Sequence, residues 1–250
     1  MERLVGLVLW GILTHTAVGA EAQSLRTVAQ EGSAPKFMDG ANAASGHCPD
    51  ILAAIERVDK SLHFVIETPA APIKRIENDL KAGRIDVVCA LLDTPWRNEI
   101  ALRIETPIYH VQERLVGRRD DSGTVRSLQD LAQSGAVVVT QSGASYASDL
   151  RKAGVKVVES PGGSALALRH VESQRARFYY TNALTGSYYI RAEGLDQTLR
   201  LHPGVLQSSP SYLWAGRHLD SATVQKLEKA LQQLKRSGEL DRLYQRYEAE

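Results

Sequence analysis

Arg97 of this 250-residue sequence is of a type that could hold an anion. A guanidinium is a rigid planar fork of donors that meets a carboxylate with two parallel hydrogen bonds, and burial does not neutralise it. The same charge has a second use, a surface pair with Asp93 or Glu99. Further along, Ser142-Gly143-Ala144-Ser145-Tyr146 runs into a helical stretch ending near Leu150. Backbone N–H groups at a helix start, with the positive end of its dipole, attract anions without any charged side chain. The plainer reading of that turn is a serine cap. Trp96 and Tyr146 offer flat faces to a ligand or to packing, and Thr94 offers a hydroxyl.

Nothing marks a reacting centre. Ser145 has no partner that the sequence identifies as its base. His15, His47, His63, His110, His170, His202 and His218 are scattered, with no H-E-x-x-H or comparable ligand spacing. Gly162-Gly163 follows a strand-like stretch but lacks the rest of a dinucleotide fingerprint, and no Walker loop is present. The expectation is a binding protein and not an enzyme, with no metal and no cofactor.

The elements that must position these residues alternate between strand and helix, the pattern of α/β layers with mostly parallel pairing. Strand character is read at 25–29, 62–67, 85–92, 111–117, 136–140, 155–159, 177–180 and 211–215. Helices are read at 50–58, with Pro49 at its start, and at 72–82, with Ile73, Ile76 and Leu80 inward. Others are read at 127–132, capped by Ser127, and at 163–172 and 182–192. A long amphipathic helix carries Val224, Leu227, Leu231 and Leu234, and a last helical piece follows Gly238. Ile85–Leu92 is apolar throughout, as in a strand buried on both faces.

Composition bounds the partners. The chain is 43% hydrophobic and 24% charged, an ordinary globular balance. Thirty basic and 29 acidic residues give a net charge of +1, which leaves no field for nucleic acid. The N-terminus differs in kind: Met1-Glu2-Arg3, ten apolar residues from Leu4 to Leu13, then Ala20-x-Ala22. That run is too short to span a bilayer and fits a cleavable export signal over residues 1–22, so the protein is expected in the periplasm. An oxidising compartment favours a bridge between the two cysteines, Cys48 at a turn before a helix and Cys89 in the apolar run. Two separate buried thiols are the alternative.

The order of landmarks is more specific than the class. From Gly46 the chain reads GHCPDILAAIE, then IKRIENDLKAGRIDVVCALLDTPWR, IETPIYHVQERLVGR, SLQDL, VVVTQSGASYASDL and LEKALQQLKRSGELDRLYQRY. Leu80, Gly83, Arg84, Asp86, Thr94, Arg97, Pro107, Tyr109, Gly143, Ser145 and Gly238 fall in one register. In this the chain resembles the family 3 extracellular solute-binding proteins, the amino-acid-type components of ABC importers, over nearly all of its mature length.

The resemblance implies a type II periplasmic-binding-protein fold: two α/β lobes, each a mixed sheet flanked by helices, joined by a two-strand hinge. Lobe 1 would comprise residues 23–108 and 207–250, and lobe 2 residues 109–206. A small polar, carboxylate-bearing ligand would lie in the cleft, with Arg97 gripping its carboxylate and Gly143, Ala144 and Ser145 completing the grip. Thr94, Trp96, Tyr146 and Glu31 would add contacts. The family's usual Asp for an amino acid's ammonium is replaced by Asn182, so an organic acid without an ammonium stands beside an amino acid as the expected ligand. A monomer serving an inner-membrane ABC permease is implied. A sensing or accessory role, or a dehydratase or lyase on the same fold, are the alternatives.

Overall fold

A computed structural model describes residues 22–249. The expected export signal therefore lies, but for Ala22, outside the described residues. Strands β1 (Gln23–Gln30) and β2 (Leu62–Ala71) pair in parallel around α1 (His47–Val58). Next come α2 (Ile73–Lys81), β3 (Val87–Leu92), α3 (Pro95–Ile100) and the short β4 (Ala101–Arg103). The chain crosses on β5 (Tyr109–Arg118) into α4 (Leu128–Gln133), β6 (Val137–Gln141), α5 (Tyr146–Lys152) and β7 (Lys156–Ser160). There follow α6 (Gly163–Glu172), β8 (Phe178–Asn182), α7 (Ala183–Ala192) and β9 (Leu199–Leu201). It returns on β10 (Gln207–Gly216) and closes with α8 (Ser221–Arg236) and α9 (Glu239–Ala249).

Short polar residues start several of these helices where backbone donors would otherwise be orphaned. Thr94 Oγ1 accepts from the Arg97 N–H, Ser127 from Asp130, Asn182 from Thr185 and Asp220 from Thr223. The α3 helix is absent from the sequence reading, although Thr94-Pro95 is a cap followed by a proline at the first helical position. Strands β4 and β9 have three residues each, too few to show a period.

Pairing is not mostly parallel, contrary to the expectation from strand–helix alternation. Among the described residues β1–β2, β6–β7 and β6–β8 are parallel, while β10–β3, β10–β4, β10–β5, β5–β8 and β5–β9 are antiparallel. Every antiparallel pair involves β5 or β10, the two crossing strands. Because they pair with each other and with both lobes, the ladder β3-β10-β5-β8-β6-β7 runs unbroken from lobe to lobe. Within it Pro210 faces His110 and gives that ladder no N–H.

The core follows this division. Phe37, Ile51, Ile55, Leu213 and Leu231 pack in one cluster with α1 and α8, and Ile76, Leu80, Val88 and Trp214 form a neighbour. Across the crossings, β8 is buried on both faces: Tyr179 packs with Leu168 and Ile190, Phe178 and Tyr180 with Leu131 and Val138. Each such side chain contributes about 1.5–3 kcal/mol of burial. Cys48, in the first turn of α1, is bridged to Cys89 of β3 with 6.0 Å between Cα atoms, and both are fully buried.

Candidate ligand cleft

A cavity of about 770 Å³ opens between the two lobes. One wall comes from β1 and its following loop, α2 and β3, the other from the β6–α5 turn, β8 and the start of α7. Tyr109 and Val111 of β5 form the back, so the crossing strand itself is the floor. The concave site with its mixed polar and apolar lining suits a small molecule.

Arg97 reaches this cavity and is buried, 5% exposed. Its partner is neither Asp93 nor Glu99. Nε donates to Glu77 Oε1 at 2.8 Å and Nη1 to the Leu92 carbonyl at 2.7 Å. Glu77 lies on the inward face of α2, 9% exposed, and the pair fixes the plane of the fork. The Leu92 carbonyl is presented by a bulge in β3. Between Leu91 and Val88 the register with β10 slips by one residue, and Ala90 takes a φ of 55°. Few alanines adopt that left-handed backbone, and this one lines the cavity.

The helix-opening turn behaves differently from the expectation of a row of free amides. Gly143 N–H donates to Glu159 Oε2 at 3.3 Å and Ala144 N–H to the Gln141 carbonyl at 3.2 Å. Two of the turn's donors are therefore spent within the protein. Ser145 stands at the N-cap of α5 without a side-chain cap bond, and Ala144, Ser145 and Tyr146 line the cavity while Gly143 does not. Tyr146 meets Tyr180 edge to face at 5.5 Å. Behind them Glu113 is buried, accepting from Tyr180 OH at 2.6 Å and Ser209 Oγ at 3.1 Å. Burial raises its carboxyl above the usual range, against the pull of those two bonds.

Asn182 lines the cavity but its amide is engaged: Oδ1 accepts from Thr185 N–H at 2.8 Å and Nδ2 donates to Thr185 Oγ1 at 2.9 Å. Thr94 is occupied in capping α3 and does not line the cavity. Trp96 is 41% exposed on the outer side of α3, under the Lys81 ammonium at 4.8 Å. Glu31 lies outside too, on a neighbouring crevice of about 910 Å³ between the lobes. Beside that crevice the lobes touch. Gln141 Nε2 donates to the Glu31 carbonyl at 3.2 Å, Ser164 Oγ to the Gly32 carbonyl at 3.0 Å, and Tyr189 OH to Asp39.

The residue that sequence reasoning missed is Lys36. Its Nζ donates to Gln30 Oε1 at 2.7 Å on the cavity wall. Burial, then the nearby Arg97 charge, pushes its ammonium down to about 7. Its backbone is held from α1: Cys48 N–H donates to the Lys36 carbonyl and His47 N–H to the Pro35 carbonyl, both at 2.9 Å. A lone lysine in a Gly/Ala/Ser-rich loop carries no period to mark it. Its position after a strand and before a stapled helix was the available signal.

Comparison with known proteins bears on the whole arrangement. A family model described as bacterial extracellular solute-binding proteins, family 3, matches residues 25–250. An ancestral arginine-binding protein bound to arginine superposes with a TM-score of 0.74 at 21% identity, covering 90% of this chain and 97% of that one. A putative binding component of an ABC transporter from Wolinella succinogenes, complexed with lysine, gives 0.77 at 18% identity, covering 91% and 96%. A histidine kinase sensor domain with similarity to periplasmic binding proteins gives 0.76 at 19%, also covering 91% and 96%. Comparison with curated protein sequences gives no match. At these identities the structural likeness speaks for the fold.

Proposed function

The chain belongs to the bacterial extracellular solute-binding proteins of family 3, and on that premise we propose that it is a periplasmic protein that closes its two lobes on a small carboxylate-bearing solute and releases it unchanged. The observation that supports this reading is the cavity, walled by both lobes, with Arg97 on its lining and held by Glu77. Residues 23–108 with 207–250 act as one jaw and residues 109–206 as the other, turning on β5 and β10. Arg97 takes the ligand's carboxylate, Ser145 and Tyr146 close from the opposite wall, and Asn182 shapes it through its cap on α7. An export signal over residues 1–22 delivers the chain, as a monomer, to an ABC permease. The likeness to a histidine kinase sensor domain favours a second reading, delivery of the signal to a sensor.

The test is a thermal-shift screen of amino and organic acids, followed by solution scattering with any solute that stabilises the fold. A ligand that binds only the native clamp raises its melting temperature, and preference for the closed form lowers the radius of gyration. The solute recovered after long incubation should be chemically intact. Conversion of the solute would identify an enzyme, and a solute that stabilises without compaction would refute closure.

A further inference from the structure

Charge in the cleft is one-sided. Lys36 and Arg97 both line the cavity, and none of its other lining residues is an Asp or Glu. Glu77, the carboxylate beside Arg97, is paired to it at 2.8 Å. Among the described residues no carboxylate lies within ion-pair distance of Lys36, whose ammonium rests on one neutral amide oxygen. The other titratable groups around this space are Tyr109, Tyr146 and Tyr179 on its lining, His47 behind Lys36, and Glu113 behind Tyr146 with its oxygens taken by Tyr180 and Ser209. Burial raises all three tyrosines and pushes His47 down to about 4, so neither the tyrosines nor His47 carry charge at neutral pH.

An α-amino acid would bring an ammonium into this space and find no anion for it. Asn182, the side chain best placed to accept from it, has its oxygen bonded to Thr185. Gln30 Oε1 is bonded to Lys36. A buried cation without a partner is costly, and a second one beside it costs more. A second anionic group on the ligand relieves both conditions. We propose that the ligand is an organic dianion without an ammonium, such as a dicarboxylate, with one carboxylate on Arg97 and the other on Lys36. This rests on the cleft being a small-solute site. Beside its polar groups the lining carries Ile73, Leu91, Val111 and Leu184, apolar surface that suits a carbon chain better than a compact inorganic oxyanion.

Calorimetric titration of the mature protein tests this with succinate, glutarate, adipate, butyrate, glutamate and sulfate. One dicarboxylate should bind at least about tenfold tighter than glutamate, butyrate or sulfate. Lys36→Met should weaken that dicarboxylate about thirtyfold or more while leaving butyrate within about threefold, and Lys36→Arg should restore most of the loss. Binding at pH 8 should take up to about one proton, seen as a difference in heat between Tris and HEPES, because the anion recharges a lysine that is mostly neutral in the free cleft. Affinity should accordingly fall as pH rises above about 7. Glutamate binding better than glutarate, or Lys36→Met leaving the dicarboxylate preference intact, overturns the dianion and spares the clamp. Failure of every solute, here and in the wider screen, overturns both.

Discussion

Arg97 and Glu77 are each other's reason for being buried. Removing the arginine leaves a carboxylate in a dry setting, and such a loss costs about 3–5 kcal/mol. Arg97→Ala should therefore lower the melting temperature of the free protein markedly, against the simpler expectation that a ligand-gripping arginine is dispensable to the fold. Adding Glu77→Leu to the same chain should recover much of that stability without recovering ligand binding; if it recovers nothing, the pair is not the cause. The arginine was singled out by its place in the Thr-x-x-Arg that the chain shares with the family it resembles; by residue type alone a surface pair was as good a reading. Its partner was not singled out. Glu77 stands among Lys74, Arg75, Asn78 and Asp79 on an amphipathic helix, where every charge looks solvent-facing until the helix is rotated into place. Asn182 was read for its missing charge, yet its amide serves α7, a duty that an Ncap position next to an apolar helix announces in retrospect.

The bulge in β3 is a device of backbone alone, and composition left no trace of it. Val87–Leu92 is an unbroken apolar run, buried as expected, with no glycine to mark the left-handed residue. A left-handed alanine costs roughly 1–2 kcal/mol, partly offset in a glycine by greater freedom of the unfolded chain. Ala90→Gly should therefore raise the unfolding free energy by up to about 1 kcal/mol, seen as a higher urea midpoint at unchanged slope, and Ala90→Val should lower the midpoint. A loss with glycine would mean that the alanine methyl packs more favourably than its backbone is strained. The longer elements were legible because period and caps agree, as at Ser127 and along α8. Their ends differ by up to four residues where a strand runs on past its alternating apolar pattern, as at β2 and β10.

At the scale of the molecule, alternation disclosed the layers. Strand direction stayed hidden, since nothing in composition says that a crossing strand runs against its neighbours. The inter-lobe bonds at Glu31, Gly32 and Asp39 were equally hidden, because two of the three use backbone carbonyls that every residue has. Tyr189→Phe deletes the third. One hydrogen bond is worth about 0.5–1.5 kcal/mol, so ligand dissociation in a stopped-flow displacement should quicken about two- to tenfold. An unchanged rate would show that Asp39 and Tyr189 do not hold the jaws. The contact at Gly32 has a further meaning. A methyl group added there would lie 3.3 Å from Gln141 Nε2 and 3.4 Å from Gly163 Cα. At Gly32 the two lobes thus lie close enough that a side chain would press on the Gln141 amide and the Gly163 backbone of the opposite lobe. Any larger residue at Gly32 is a shim: it would leave Arg97 and Lys36 in place and hold the mouth ajar, turning a trap into an open dish.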